Sequence, residues 1–126
     1  MNKPIILVID DDPTLGRALS ERLIEEGYDV RTAQNGHEGL TLALELQPSL
    51  TFLDYKMPDI DGLQVLKALR ADERGQKLEV AFATNTYDTI VINEALSLGV
   101  HDYILKADIS LDLIAELARK YVPLDK

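Results

Sequence analysis

The chain has 126 residues, of which 28% are charged and 46% hydrophobic, a composition typical of one compact globular domain. It has no cysteine, which excludes thiol catalysis, cysteine-bound zinc or iron-sulfur sites and a disulfide scaffold. Its formal net charge of -9 makes direct binding to nucleic acid or to an anionic membrane surface unfavourable.

Five short apolar runs alternate with segments of helical periodicity along the chain. The runs are typical of strands that are buried on both faces of a parallel sheet, and they cover residues 5–9, 28–33, 50–53, 80–84 and 103–105. The first run is too short for a signal peptide or a membrane span, and three aspartates follow it at once. We therefore expect a soluble, cytoplasmic protein without membrane contact.

The segments between the runs predict five helices. In the first of them, leucines recur at every fourth position, which is the spacing of one buried helical stripe. Residues that favour helix ends flank these segments: Pro13, Gly27, Asn35, Gly99 and Ser110. Five strand–helix units with short connections predict an α/β fold, a doubly wound, flavodoxin-like parallel sheet in the order 2-1-3-4-5.

Acidic residues follow two of the predicted strands. Asp10 and Asp11 come after the first strand, and Asp54 comes after the third. In the order 2-1-3-4-5 these strand ends flank the point where such sheets bind ligands. Carboxylates at close range call for a cation, and an oxygen-only ligand set favours Mg2+. The aspartate run that ends in Asp12 is also explained without a metal, as negative charge at a helix N-terminus.

Two further polar residues end the remaining strands. Thr84 ends the fourth strand and Lys106 lies just past the fifth, so both can face the same edge of the sheet. A hydroxyl group and an ammonium group at that edge can bind anionic oxygens. Together with a hard metal ion and a carboxylate nucleophile, Asp54, they predict a phosphoryl-transfer site.

Four motifs carry a resemblance to a known family. They are VIDDDP after the first strand, DYKMPDIDG from Asp54 onward, AFAT in the fourth strand and DYILK in the fifth. With these motifs the sequence resembles the receiver domain of two-component response regulators over essentially its whole length. On this resemblance we expect a receiver domain over residues 1–122, with residues 123–126 as a tail or the start of a linker.

The resemblance implies a role for each matching acid. Asp54 would be the phosphorylated aspartate, and Asp10 and Asp11 would be the acids of the Mg2+ site, with Asp11 as a direct ligand. The backbone carbonyl of Lys56 would complete the protein ligands. Asp12 receives no role beyond a charge at the start of the first helix.

The resemblance also implies how a phosphoryl group would be sensed. Thr84 and Lys106 would bind phosphoryl oxygens, and Tyr103 would report the change by altering its rotamer. Such a chain is a phosphoacceptor switch rather than an enzyme, and its phosphoryl donor would be a sensor histidine kinase or a phosphotransfer protein.

Two positions depart from the family pattern. Ala107 follows Lys106 where the family often has proline after a cis bond, and a cis bond before a residue other than proline costs about 3 to 4 kcal/mol. The isomer of this bond is therefore open at the level of sequence. Asn85 follows Thr84 where the family usually has a small residue, which predicts narrower access to the site.

The fourth predicted helix has more apolar residues than one buried stripe needs. Ile90, Val91 and Ile92 are consecutive, so some of them should be exposed. The family uses the face of its fourth helix, fifth strand and fifth helix for dimers or partners. We therefore expect a homodimer or output-domain surface there.

Two alternative functions remain at this level. Asp10, Asp12 and Thr14 fit the DxDxT pattern of haloacid-dehalogenase-like phosphatases, although that interpretation leaves DYKMPDIDG without a role. The second alternative is a binding module that keeps the fold and the partner surface but is not phosphorylated.

Overall fold

Strands and helices alternate regularly in the computed structural model, which describes residues 2–124. The strands are β1 (Ile5–Ile9), β2 (Asp29–Ala33), β3 (Leu50–Leu53), β4 (Val80–Thr84) and β5 (Asp102–Leu105), and the helices are α1 (Pro13–Glu26), α2 (Gly36–Leu46), α3 (Gly62–Ala71), α4 (Thr89–Ser97) and α5 (Leu111–Tyr121). All pairings are parallel, in the order β2-β1-β3-β4-β5. This confirms the predicted doubly wound sheet.

Helices cover both faces of the sheet. In β1, Ile6 and Val8 pack on the face that carries α1 and α5, whereas Leu7 and Ile9 pack on the face that carries α2, α3 and α4. Successive strand residues point to opposite faces, so a strand covered on both sides must be apolar throughout. This explains the continuous apolar runs of the sequence.

The predicted helix ends agree with the structure. Asn35 and Ser110 are N-caps whose side chains accept backbone hydrogen bonds, and Pro13 opens α1. Gly27 ends α1 with a left-handed φ of 114°, a conformation in which a side chain would be strained. The fourth helix ends one residue earlier than predicted, because Leu98 is its C-cap and Gly99 follows.

Two strand starts differ from the prediction by one residue. β2 begins at Asp29 rather than at Tyr28, because the backbone NH of Tyr28 donates to the carbonyl of Leu23 in α1 (3.2 Å). The Tyr28 side chain is buried, and its hydroxyl donates to the carbonyl of Val122 (2.7 Å). β5 begins at Asp102, one residue before the apolar run. The predicted tail falls partly beyond the described range, since residues 125 and 126 lie outside it.

The register brings the ends of the strands together. Ile9 of β1 pairs with Leu53 of β3, and the backbone NH of Asp54 donates to the carbonyl of Ile9 (2.9 Å). At the other side of the sheet, Thr84 pairs with Leu105. The loops that follow β1, β3, β4 and β5 therefore begin at one edge. No helix within residues 2–124 combines the length and apolar character that a bilayer crossing requires.

Candidate functional site

Three charged side chains meet at the carboxyl edge of the sheet. Asp10 and Asp54 are each only 5% exposed. The Lys106 ammonium lies between them, with its Nζ atom 2.9 Å from Oδ2 of Asp10 and 3.0 Å from Oδ2 of Asp54. The structure thus brings together the ends of β1, β3 and β5, which are far apart in sequence.

A third carboxylate completes an oxygen cluster. Ligand atoms of Asp10, Asp11 and Asp54 all lie within 4.8 Å of one another, and Asp11 faces solvent. Opposite ligands of one Mg2+ are about 4.2 Å apart, so small movements of these side chains suffice to bind it. Three carboxylates face one ammonium group here, and a divalent cation would balance the two remaining negative charges. The donor set therefore fits Mg2+ in both chemistry and charge.

Burial and the neighbouring charges shift the pKa values of this pair. Burial raises the pKa of Asp10 above 3.8, even though the backbone NH of Asp12 (2.8 Å) and Lys106 favour its ionised form. For Lys106, burial disfavours the charged form, but the contacts with Asp10 and Asp54 outweigh it and raise its pKa. The lysine is therefore charged at neutral pH, and its single positive charge only partly balances the negative charge of the buried acids.

Asp12 lies beside the cluster and has a separate task. Its side chain accepts hydrogen bonds from the backbone NH groups of Thr14 (3.0 Å) and Leu15 (3.3 Å) and caps α1. The role predicted for it, a charge at the start of the helix, is confirmed. A carboxylate engaged in this way is poorly placed to act as the second aspartate of a DxDxT phosphatase motif.

The β3–α3 loop (residues 54–61) is closed at both ends. Oδ1 of Asp54 accepts from the backbone NH of Tyr55 (2.8 Å), and the NH of Gly62 donates back to the Tyr55 carbonyl (2.6 Å). Asp61 forms a capping box with Gln64 at the start of α3. These contacts hold both ends of the loop, and Lys56 between them is exposed.

An open cleft of about 640 Å3 lies over the cluster. Asp11, Asp54, Lys56, Thr84, Asn85 and Lys106 are among the residues that line it. Thr84 is buried at the end of β4, whereas the next residue, Asn85, is exposed. Every predicted site residue except Asp10 and Tyr103 lines this cleft.

Tyr103 links β5 to the β4–α4 loop (residues 85–88). Its ring stacks on Phe82 with the centroids 5.7 Å apart, and its hydroxyl donates to the Thr86 carbonyl (3.2 Å). Burial raises the pKa of Tyr103, so the hydroxyl is protonated at neutral pH. The side chain is therefore in contact with the loop that follows Thr84.

The sequence left three features of the site undetermined. The Lys106–Ala107 bond is trans, as are the other described peptide bonds. The pairing of Lys106 with Asp10 was not predicted, because the resemblance assigned the lysine to phosphoryl oxygens alone. Asp59 of the DYKMPDIDG motif received no role, yet its carboxylate binds the start of α2. No local pattern could reveal that contact, since the partners lie more than 20 residues apart.

The family of this chain follows from a match to a family model over most of its length. A family model described as the response regulator receiver domain matches residues 6–118. The chain belongs to this family of receiver domains. The resemblance seen in the four motifs is confirmed, and the matched segment of the receiver domain includes all the predicted site residues, from Asp10 to Lys106.

Two relatives of this receiver domain are longer proteins that are named as DNA-binding regulators. It is 39% identical over 103 residues to the DNA-binding dual master transcriptional regulator RpaA of Synechocystis sp., which covers 82% of the chain and 43% of that protein. It is 35% identical over 112 residues to the DNA-binding response regulator MtrA of Mycolicibacterium smegmatis, covering 89% and 48% respectively. The aligned part of the chain thus covers less than half the length of each relative.

Solved receiver domains share the fold. A CheY-like response regulator receiver domain protein from Methanospirillum hungatei aligns with a TM-score of 0.86 and 25% identity over 95% of this chain and 94% of that one. The receiver domain of the Francisella response regulator 1452 aligns with a TM-score of 0.83 and 28% identity, over 94% and 95% of the two chains. A receiver domain of response regulators is a signalling switch, and this chain has its architecture.

Proposed function

We propose that this receiver domain accepts a phosphoryl group on Asp54 from a phosphohistidine of a sensor histidine kinase or a phosphotransfer protein. The observation that carries the proposal is the position of the Lys106 ammonium between the buried carboxylates of Asp10 and Asp54, where Lys106 and Asp54 line an open cleft. A buried acid beside a fixed cation and below an opening is what in-line phosphoryl transfer to a carboxylate requires.

The transfer exchanges one bond to phosphorus for another. A carboxylate oxygen of Asp54 bonds to the donor's phosphorus while the bond from phosphorus to the imidazole nitrogen breaks. The electron pair of the broken bond stays on that nitrogen, which takes up a proton from solvent. Lys106 is close enough to contact the oxygens of the new phosphoryl group, because its ammonium already lies 3.0 Å from Oδ2 of Asp54. The chain modifies itself and turns over no separate substrate, so we class it as a switch rather than an enzyme.

The oxygen cluster is the Mg2+ site of this proposal. Asp10, Asp11 and Asp54 would hold the ion together with the backbone carbonyl of Lys56. The ion supplies positive charge that neutralises the phosphoryl oxygens during transfer. Burial and proximity to Asp54 raise the pKa of Asp10, which supports a requirement for more positive charge than Lys106 provides.

A labelling experiment tests the acceptor. The chain is incubated with Mg2+ and a small phosphodonor such as phosphoramidate, and the intact mass is measured. We expect one added phosphoryl group, which disappears when Mg2+ is chelated or when Asp54 is replaced (Asp54→Asn). Asp12→Asn is the matched control, because asparagine also caps helices well and the same cleft loses one carboxylate.

The outcomes separate the two remaining functions. Labelling of the wild type and of Asp12→Asn, but not of Asp54→Asn, supports the phosphoacceptor. A folded wild-type chain that is never labelled, and whose spectrum does not respond to Mg2+ with beryllofluoride, a phosphoryl mimic, favours the passive binding module. The phosphatase alternative has lost its support, because the chain belongs to the receiver family and Asp12 caps α1.

The signal would pass through Thr84 to Tyr103. A phosphoryl group brings a charge of about -2 and draws in nearby donors, among them the Thr84 hydroxyl. Movement of Thr84 shifts the β4–α4 loop, and the Tyr103 hydroxyl is bonded to the Thr86 carbonyl of that loop. Each charge-assisted hydrogen bond contributes about 1.5 to 3 kcal/mol, which is enough to bias a two-state loop.

The output surface of the proposal lies on α4, β5 and α5. Ile90 is 68% exposed while the next residue, Val91, is 6% exposed, which agrees with the expected excess of apolar residues on α4. Tyr87, also 68% exposed, lies just before the helix. We assign this surface to a homodimer or an output domain.

Both relatives are named as DNA-binding proteins, and this chain aligns with less than half of each. The net charge of -9 argues against direct DNA contact by the receiver domain itself. We therefore propose that it acts in the cytoplasm through protein partners. Analytical ultracentrifugation with and without beryllofluoride tests whether the dimer forms in response to the phosphoryl mimic. Association to the same extent under both conditions counts against a switched dimer surface.

A further inference from the structure

The carboxylate of Asp59 links the β3–α3 loop to the start of α2. Its Oδ1 atom accepts from the backbone NH of Gly36 (2.8 Å), and its Oδ2 atom accepts from the backbone NH of His37 (2.9 Å). The Nδ1 atom of His37 lies 2.7 Å from the same Oδ2. Two different elements are thus connected by one side chain.

The helix that Asp59 binds is held tightly against β1. A Cβ atom on Gly39 of α2 would come within 2.6 Å of the Ile9 side chain, so the helix backbone packs directly on that strand. Ile9 is the last residue of β1 and immediately precedes Asp10. The start of α2 therefore has a fixed position relative to the first acid of the cluster.

The loop on the other side of this link carries the remaining part of the site. It begins with Asp54 and includes Lys56, whose carbonyl belongs to the proposed Mg2+ site. Its base is closed by the hydrogen bond from Gly62 to Tyr55, and between these residues Lys56 is exposed whereas Met57 and Ile60 are partly buried against the core. A second close approach lies next to the Asp59 contact, since a Cβ atom on Gly36 would come within 2.4 Å of the Ile60 side chain.

The electrostatics agree with a persistent link. Asp59 is an exposed residue whose carboxylate is partly desolvated, which by itself raises its pKa, but hydrogen bonds from the backbone NH groups of His37, Gly36 and Ile60 outweigh this and lower the pKa below the ordinary range. The carboxylate is therefore ionised throughout the physiological range. An ionised carboxylate also interacts favourably with the positive end of the α2 dipole.

We propose that Asp59 is a positioning residue for the Mg2+ site, because it fastens the loop that carries Lys56 to the helix packed on the strand that ends in Asp10. The inference rests on the proposed function. Its effect is to fix the spacing between the Lys56 carbonyl and the carboxylates that follow β1, so that less order has to be gained when the ion binds.

The test compares two variants at the same helix end. Asp59→Ala removes the link, whereas Asn35→Ala removes the N-cap of α2, which accepts from the NH of Glu38 (2.8 Å), and leaves Asp59 in place. Calorimetric titration with Mg2+ gives the Kd of each chain. Loss of outer partners of a metal site typically weakens binding at least about tenfold, and we expect about this change for Asp59→Ala. Asn35→Ala should lower the melting temperature and keep the wild-type Kd.

A second measurement does not use the ion. Amide hydrogen exchange of Gly36 and His37 without Mg2+ should accelerate in Asp59→Ala. In His37→Ala the same NH groups keep their acceptor, so exchange should stay slow and the Kd should stay close to wild type. Should Asp59→Ala fold poorly, Asp59→Asn retains one acceptor oxygen and is expected to fall between the wild type and Asp59→Ala in both measurements.

The outcomes distinguish the two proposals. An unchanged Mg2+ Kd in Asp59→Ala, or an equal loss in Asn35→Ala, overturns the positioning role and leaves the phosphoacceptor intact. A folded wild-type chain that binds no Mg2+ overturns both. Accelerated exchange together with a weaker Kd in Asp59→Ala alone supports the positioning role.

Discussion

Lys106 is bound to Asp10, the acid that follows β1, at 2.9 Å, as well as to Asp54 at 3.0 Å. The lysine therefore has two partners before any phosphoryl group is present. Approach of a phosphoryl group to Asp54 would compete with Asp10 for the same ammonium. The pairing makes Lys106 a structural member of the site in its resting form.

Replacing Lys106 with methionine should destabilise the fold. Asp10 and Asp54 would then face each other while buried, and breaking a buried ion pair costs about 3 to 5 kcal/mol. We expect the free energy of unfolding to fall by about 3 kcal/mol at neutral pH, as measured by urea titration. Saturating Mg2+ should recover part of this loss, because the ion binds the folded state.

The control for this variant is an exposed ion pair between α3 and α4. Lys67 lies 3.0 Å from Glu94, with both side chains substantially exposed. Lys67→Met should change stability by less than about 1 kcal/mol and should not respond to Mg2+. Equal stability of Lys106→Met and Lys67→Met would contradict the buried pairing.

Asp10 and Asp59 should affect the acid stability of the chain in opposite directions. The folded pKa of Asp10 is raised above 3.8, so the fold loses stability through this group as the pH rises from 3.8 through the raised value. The folded pKa of Asp59 is lowered, so its contribution is present above its ordinary pKa and is lost as the pH falls. Asp10→Asn should therefore steepen the loss of stability on acidification, and Asp59→Asn should make it shallower.

Urea unfolding of each variant between about pH 3 and pH 6 measures these slopes. Asp11→Asn controls for the loss of one charge from the cluster, because Asp11 faces solvent. An Asp59→Asn variant that keeps the wild-type slope would show that the hydrogen-bonded carboxylate is not maintained in solution.

Much of the fold and most of the site could be predicted, because their signals are local. Each strand is a short apolar run, and Asp10, Asp54 and Thr84 directly follow or end such runs. Once the strand order is assumed, the strand ends must meet at one edge. β2 departs from the pattern of apolar, fully buried strands. It lies at the edge of the sheet, and its Arg31 and Thr32 are exposed.

The contacts between distant elements could not be predicted. Lys106 approaches Asp10 only because β1, β3, β4 and β5 have a particular twist and spacing, and the sequence does not encode these distances in any local pattern. Asp59 and Gly36 likewise lie on separate elements, and within its own motif Asp59 is an ordinary turn residue. The packing of Tyr103 against Phe82 depends on a rotamer, which composition does not determine.

Gly62 should be intolerant of a side chain. A Cβ atom there would lie 2.3 Å from the Asp54 carbonyl oxygen and 2.9 Å from Cα of Tyr55, and backbone atoms cannot move aside without shifting the loop. We expect Gly62→Ala to cost about 1 to 3 kcal/mol and to weaken Mg2+ binding. In Gly16→Ala, where nothing lies within 4 Å, the helix interior should gain about 0.5 to 1 kcal/mol. Thermal unfolding compares the two, and equal effects would contradict the close approach at Gly62.

Removing the Tyr103 hydroxyl should separate sensing from phosphorylation. Tyr103→Phe keeps the ring on Phe82 but loses the hydrogen bond to the Thr86 carbonyl, at a cost of about 0.5 to 1.5 kcal/mol. Labelling of Asp54 should proceed, while the beryllofluoride-induced NMR shifts of the β4–α4 loop should shrink. Tyr87→Phe, at an exposed position in the same loop, should show the full shifts. Beryllofluoride-induced NMR shifts of wild-type size in Tyr103→Phe would show that Tyr103 has no part in the switch.

Neighbouring residues of α4 offer a test of the proposed output surface. Ile90 is exposed, so Ile90→Asp should change the free energy of unfolding by less than about 0.5 kcal/mol. Val91 is buried, so Val91→Asp would place a carboxylate in the core and should cost more than about 3 kcal/mol, which makes it unsuitable as a surface probe. Ultracentrifugation with Mg2+ and beryllofluoride should show association of the wild type and none of Ile90→Asp. Because Ile90→Asp retains the fold and the acceptor, undiminished association would mean that partners bind elsewhere on the domain.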